Sequence, residues 1–281
     1  MNRVYGAQHQ KLVDASFQLH AARWLDVYTD TGVEAAIYRR RLAIALRWVD
    51  ELVLPRRERI LEIGCGAGVS AVPLARRGYR VEAVDAIPAM VNATRSYAAR
   101  AGVTSAIVTS LGDAHRLAFR DSTFGLIVAI GLLPYLHSPT AFLQEVARVL
   151  KPDGFLLVTV GNRWRLNHLL DPWLCPALDP VKALVAAVIR RGPRRPPSGP
   201  PLRLDSLRKF ERWLSSVGLS KIKATTVGFQ PLTFHRRPVL SEPISLTLNR
   251  WLQTLADHGM PGIRWRGMDH VVLARRDGAR P

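Results

Sequence analysis

The chain has 281 residues, 48% hydrophobic and 22% charged, which excludes an intrinsically disordered chain and allows one large domain or two small ones. Lys and Arg number 40 against 22 Asp and Glu, a formal net charge of +18. The longest uncharged apolar run, Gly125 to Leu136, is too short to span a bilayer, residues 1–15 lack the apolar stretch of a secretory leader, and the two distant cysteines, Cys65 and Cys175, form neither a disulfide framework nor a zinc site, so a reducing cytoplasm is the expected setting.

In chain order, residues 8–55 carry apolar positions at helical spacing, among them Ile37, Leu42, Ala45, Val49 and Leu52, and Pro55 closes that section. A strand–helix alternation follows. Strands are expected at Arg59–Ile63, Arg80–Val84, Ala106–Thr109, Phe124–Ile130 and Phe155–Val160, with helices at Val69–Arg77, Ile87–Ala101 and Thr140–Leu150. Gly78 and Gly102 stop the first two helices, and the continuous apolar run of the fourth strand suits burial on both faces. This alternation predicts a parallel, doubly wound sheet.

The pattern breaks after residue 160. Residues 161–203 show no clear strand, and residues 193–201 hold five prolines in nine positions, which preclude a continuous helix. Val181–Ile189 reads as one short aliphatic helix. A helix at Leu204–Val217 and strands at Lys221–Val227 and Val271–Ala274 resume the order, whereas 229–267 is Pro- and aromatic-rich and resists assignment. The charge is uneven across the break: residues 1–160 carry 19 bases against 14 acids, and residues 161–281 carry 21 against 8. Arginine-rich codon usage explains this, or else a face that attracts nucleic acid, acidic lipid or a phosphorylated substrate.

Chemistry concentrates in Ile60-Leu61-Glu62-Ile63-Gly64-Cys65-Gly66-Ala67-Gly68, a strand-to-helix turn whose glycines permit positive φ and close backbone approach to a ligand. The dinucleotide pattern fails, because Val69 stands where its third glycine belongs, and no Gly-Lys-Ser/Thr makes a phosphate-binding loop. Glu62 just before the first glycine would repel a pyrophosphate but tolerate a cationic or uncharged ligand. Asp85 ends the second strand, where it either caps the following helix or accepts from a ribose diol, and Asp113 follows the third strand as a turn residue or a ligand contact.

With the Glu62–Gly68 turn, Asp85, Gly112-Asp113-Ala114 and Arg148-Val149-Leu150-Lys151-Pro152-Asp153-Gly154, the chain resembles the class I S-adenosylmethionine-dependent methyltransferases, in particular the small-molecule group that includes the ubiquinone- and menaquinone-biosynthesis enzymes. The resemblance covers residues 24–160 well and 204–228 with 268–275 loosely. It implies an α/β, Rossmann-like, doubly wound seven-stranded sheet, mostly parallel with an antiparallel last strand, plus N-terminal helices and an acceptor-side cover. The corresponding division is 1–55 as N-terminal cover, 56–160 as cofactor-binding core, 161–203 as basic Pro-rich insertion, and 204–281 completing the sheet with a cover insertion at 229–267.

The resemblance also implies roles. Gly64, Gly66 and Gly68 would approach the methionine moiety of S-adenosylmethionine, and Glu62 would receive its ammonium. Asp85 would hold both ribose hydroxyls, Ala86 and Met90 would pack near the adenine, and Asp113 would accept the adenine amino group beside Ala114. Ile130 would line the other side. Trp24 and Tyr28 match an aromatic pair that closes over such sites, or else serve helix packing. The product would be S-adenosylhomocysteine, and no metal is called for. One departure stands out: the family usually has Asp after the Phe of the fourth strand, and here that residue is Gly125, which is expected to alter strand-edge hydrogen bonding.

In-line methyl transfer gains most from alignment, and an oxygen or carbon acceptor gains further from a base. His137 is the first candidate base and Tyr135 the second, with a helix cap or surface residue as the alternative for His137. The Asn/Asp-Pro-Pro-Tyr motif of enzymes that methylate bases is absent from Leu132-Leu133-Pro134-Tyr135. Trp164 and Trp173, with Trp251, Phe229 and Phe234, suggest an apolar, small or lipid-like acceptor, or simply a second small core. Residues 181–195, an aliphatic helix followed by arginines, suit peripheral contact with an anionic membrane. The expected function is therefore methylation of such an acceptor at O or C. An RNA or protein methyltransferase is the alternative from charge, although no nucleic-acid module is recognisable; a non-catalytic cofactor-binding scaffold is the other.

Overall fold

A computed structural model describes residues 10, 12–18, 23–188 and 202–278. Three helical segments lead: α1 (residues 12–18), α2 (Arg23–Thr29) and α3 (Val33–Asp50). The alternating part follows as β1 (Arg59–Ile63), α4 (Ala71–Arg76), β2 (Arg80–Asp85), α5 (Pro88–Arg100), β3 (Ile107–Leu111), β4 (Phe124–Ala129), α6 (Pro139–Val149) and β5 (Leu150–Gly161). Then come α7 (Leu166–Leu170), α8 (Asp179–Val188), α9 (Leu207–Ser215), β6 (Leu219–Val227), the two-residue strands β7 (Thr233–Phe234) and β8 (Arg237–Pro238), α10 (Glu242–Asp257) and β9 (Asp269–Arg276).

Seven strands form one sheet in the order β3-β2-β1-β4-β5-β9-β6, with β9 antiparallel to both neighbours and the first five strands parallel. The expected doubly wound, mostly parallel sheet with an antiparallel last strand is what the chain forms. All six residues of β4 are buried, as its unbroken apolar run requires in a central strand. Apolar side chains of α6 and α9 pack on one face, and those of α3, α4 and α5 on the other. The chain runs outward from β1 through β2 to β3, then returns to place β4 on the other side of β1. That reversal opens a crevice at the C-terminal ends of β1 and β4, where open α/β sheets bind ligands.

Several elements differ from expectation. The Lys151–Gly154 run does not precede the fifth strand but bulges within it, between the pairs Phe124–Leu150 and Leu126–Phe155, with Asp153 in a left-handed conformation. The helix expected from Leu204 begins at Leu207, because the Ser206 side chain accepts from Lys209 N and caps it there. The unassigned region 229–267 contains α10, sixteen residues long. The predicted helix near Val181 is α8, whereas the Pro-rich segment 193–201 and Arg190 to Arg195 lie outside the described residues. Among the described residues, no helix is long and apolar enough to cross a membrane.

Candidate functional site

The site is built on the turn after β1. Gly64 N and Cys65 N both donate to Val84 O (2.8 and 3.1 Å), tying the turn to β2, and Gly66 N donates to Asp85 Oδ2 at 2.9 Å. Gly64 has φ +73°, and a Cβ there would lie 2.9 Å from the Leu132 Cδ1 atom. Both the conformation and the packing therefore demand glycine. Gly64→Ala is expected to cost about 1–3 kcal/mol of stability, read from the denaturant midpoint, and to weaken ligand binding at the turn.

Glu62 is buried on β1 at the floor of the crevice. Ser70 Oγ donates to Glu62 Oε1, but Oε2 is buried with no hydrogen-bond partner. Burial, with Asp85 adding to it, pushes this carboxyl up to about 8. A buried acceptor left bare is costly unless a ligand satisfies it, and a cationic donor satisfies a carboxylate best.

Asp85 ends β2, and its two oxygens serve backbone first: Oδ2 accepts from Gly66 N and Oδ1 from Ile87 N at 3.0 Å. Both readings of this residue thus meet in one geometry. The carboxylate fixes the start of α5, and each oxygen keeps lone-pair capacity for a hydroxyl. Burial raises its pKa. Ala86 and Met90 line the cavity wall beside it.

Asp113 follows β3, and its Oδ1 accepts from His115 N and pairs with His115 Nδ1, both at 2.8 Å. Burial works to raise its pKa, but these contacts, with His137 nearby, hold it below the usual carboxylate range. Ala114 and Ile130 complete this end of the wall.

The same cavity also carries an aromatic cluster, part of it packed on Ile87 and Met90, and one buried cation. Phe17 stacks on Trp24 at 5.5 Å between ring centroids and meets Tyr135 edge-on at 4.8 Å, and Trp24 and Tyr28 each approach Tyr38 at about 6 Å. Arg41 lies over the Tyr38 ring at 4.5 Å and donates from Nη1 to Asp269 Oδ2 at 2.9 Å. Burial opposes its charge, but Asp269 outweighs that and keeps it cationic. The cavity encloses about 450 Å³ and is lined by both the acidic and the aromatic residues, a size suited to a small-molecule ligand.

Among the described residues, the wall draws on residues 10–136 alone. It includes Glu62, Gly64, Gly66, Asp85, Asp113 and Tyr135, with Trp24 and Tyr28, but not all the residues expected there. Gly68 is turned away, its missing Cβ facing Thr94 of α5 at 3.1 Å, so it serves packing rather than ligand approach. His137 is exposed and outside the wall, because Leu136 takes the inward direction and the His137 ring lies 3.8 Å from that of His115. Trp164 and Trp173 are exposed and lie outside this wall as well. Sequence reasoning missed Arg41, Tyr38, Phe17 and His115. The Gly125 departure has a local explanation: a Cβ there would lie 2.7 Å from the Glu58 side chain, whose carboxylate accepts from Lys151 Nζ at 2.7 Å.

The donors and acceptors suit S-adenosylmethionine. An orphaned buried acceptor fits an ammonium, the carboxylate at the end of β2 fits a ribose diol, and the left-handed Gly64 and Gly66 leave the backbone uncovered. Residues 61–158 match the family model described as a methyltransferase domain. A ubiquinone biosynthesis O-methyltransferase from Xanthomonas axonopodis pv. citri is 30% identical over 156 residues, 55% of this chain and 62% of that protein. One of the same name from Pectobacterium carotovorum is 25% identical over 240 residues, 83% of this chain and 90% of that protein. The chain thus spans somewhat under two thirds of the first relative and nearly all of the second. Magnesium protoporphyrin IX methyltransferase from Synechocystis PCC 6803, solved with bound S-adenosylhomocysteine, shares the fold with a TM-score of 0.63 at 13% identity, covering 96% of this chain and all of that one. By motif and sheet order, and by sequence over its cofactor-binding part, the chain is similar to the class I S-adenosylmethionine-dependent methyltransferases.

Proposed function

We propose that the protein transfers a methyl group to oxygen or carbon of a small, largely apolar, ring-bearing acceptor. The observation that carries this reading is the single cavity that joins the bare Glu62 acceptor to a cluster of aromatic side chains. S-adenosylmethionine, when bound, supplies a methyl group on a positively charged sulfur. Glu62 would take the amino-acid ammonium, Asp85 the ribose, and Asp113 with Ala86 and Met90 the adenine. Tyr28 and Tyr135 would present flat faces to the acceptor, and Trp24, packed on Ile87 and Met90, would help exclude water from the site. The names of the two curated relatives favour oxygen.

Incubation with methyl-labelled S-adenosylmethionine and a fractionated cell extract tests the reading. Label in the small-molecule or lipid fraction is expected. Label confined to RNA or protein would favour the macromolecular alternative, and cofactor binding without any label would favour a scaffold.

A peripheral membrane contact is proposed alongside. On α8, Val181 and Leu184 are exposed aliphatics, with the arginines of 190–195 following in sequence. Binding to phosphatidylglycerol vesicles at low salt is expected, lost at high salt and weakened at least tenfold by Leu184→Glu. Equal retention with and without anionic lipid would remove this part.

A further inference from the structure

We infer that His115 is a positioning residue, a clasp that holds the Asp113 carboxylate in the one orientation that meets the amino group of a bound adenine. This rests on the reading that Asp113 faces the adenine of the cofactor, and adds a residue that reading does not use.

Asp113 by itself is poorly placed to discriminate. It follows β3 on a loop with its side chain 63% exposed, and an unrestrained carboxylate there would sample several rotamers. The backbone supplies one restraint. Asp113 O accepts from Arg116 N at 3.0 Å, closing a four-residue turn, and Asp113 Oδ1 accepts from His115 N at 2.8 Å. That turn forms with any residue but proline at position 115. The His115 side chain adds a second restraint: it is only 9% exposed, and its Nδ1 meets the same Oδ1 at 2.8 Å. With both bonds on Oδ1, Oδ2 is left to a ligand in the cavity that Asp113 and His115 both line.

The imidazole is itself fixed. Ser138 N donates to His115 Nε2 at 3.4 Å, which puts the ring proton on Nδ1 and makes Nδ1 the donor to Asp113. The His137 ring lies against the His115 ring, with centroids 3.8 Å apart. Ser138 in turn is anchored by its own role, since its Oγ accepts from Ala141 N at 3.3 Å and caps α6. His115 therefore ties the loop after β3 to the connection between β4 and α6, which brings Tyr135 and Leu136 to the same cavity. A carboxylate held this way gains from an amino donor and is left bare by a purine that lacks one. A carboxylate free to rotate turns back to water, so the penalty for the missing donor shrinks.

The test titrates the full chain calorimetrically with S-adenosylhomocysteine and with its 6-deamino analogue, which carries purine in place of adenine. Wild type is expected to prefer the amino compound by roughly tenfold or more. His115→Leu keeps the bulk without the donor. Its preference should fall to about threefold or less, through weaker binding of S-adenosylhomocysteine alone. Unchanged affinity for the analogue then shows that the variant is folded. His115→Asn puts an amide nitrogen where Nδ1 stood and should restore most of the preference. No preference in wild type, full preference in His115→Leu, an equal loss for both ligands, or Asn no better than Leu would each overturn the inference. Asp113→Ala separates it from the reading beneath, because that variant should lose the preference whatever His115 does. Full preference in Asp113→Ala would strike the adenine assignment of Asp113, and failure of wild type to bind S-adenosylhomocysteine at all would strike the methyltransferase reading.

Discussion

Asp85→Ala is expected to weaken S-adenosylhomocysteine binding by about 100-fold in a calorimetric titration, the largest effect of any single replacement in the site. Two hydrogen bonds from a ribose diol to a carboxylate are together worth about 3 kcal/mol, which corresponds to that factor. The same change frees Gly66 N and Ile87 N, both of which donate to Asp85, so the Gly-rich turn and the start of α5 lose their common anchor. Asp85→Asn separates the two contributions. Its amide oxygen can keep one backbone bond, and roughly a tenfold loss is expected. Unchanged affinity in Asp85→Ala would remove this residue from the ligand site.

Glu62→Gln is expected to abolish a pH dependence that wild type shows. The Glu62 carboxyl, pushed up to about 8 by burial, is mostly protonated in the free protein near neutrality. An ammonium beside it favours the carboxylate. Affinity should therefore rise as pH climbs toward about 8 and level off above, with proton uptake by buffer on binding. Gln in its place should bind more weakly and show no such slope. The stability effect has the opposite sense. Because the folded pKa lies above the unfolded one, the folded state loses stability as pH rises from the unfolded pKa to about 8 and is level beyond. Glu62→Gln should accordingly raise Tm by roughly 5 °C at alkaline pH and hardly at all in acid. A variant with both the wild-type pH slope and the wild-type Tm profile would show that the carboxyl does not face the ligand.

The cofactor half of the fold was legible because its signals are local. β1 spans Arg59–Ile63 as expected, and β4 declares itself through six consecutive apolar residues that the sheet buries on both faces. The acids at the ends of β1 and β2 and after β3 converge for a topological reason, since parallel strands put their C-terminal ends on one edge.

What was not legible depends on packing between distant segments. The buried face of α10 is partly polar, with Ser245, Asn249 and Gln253 inside, while Ile244 and Trp251 are exposed. Its periodicity therefore looks inverted. Asn249 and Gln253 are inside because their side-chain oxygens accept from Phe229 N and Gly228 N, each at 2.8 Å. Arg41 was hidden by its neighbours, since a run of three arginines reads as a solvated face. The clue was its place on the Ile37, Tyr38, Ile44 stripe, and its partner Asp269 lies at the far end of the chain. His137 looked well placed in sequence but lies one residue beyond the inward-facing Leu136. Of the bases after residue 160, Lys223 and Arg275 pair with Glu51 and Asp153 from the earlier part of the chain, which are surface pairs of small energetic weight.

The central claim is that the acidic, glycine-rich end of the cavity binds the cofactor. Calorimetric titration of the wild-type chain with S-adenosylhomocysteine near neutral pH, repeated in two buffers of different ionisation heat, tests it most directly. One ligand per chain at micromolar affinity, with a heat that changes between the buffers as Glu62 gives up its proton, is the predicted result. No binding, or binding that Asp85→Ala and Glu62→Gln both leave intact, would contradict it.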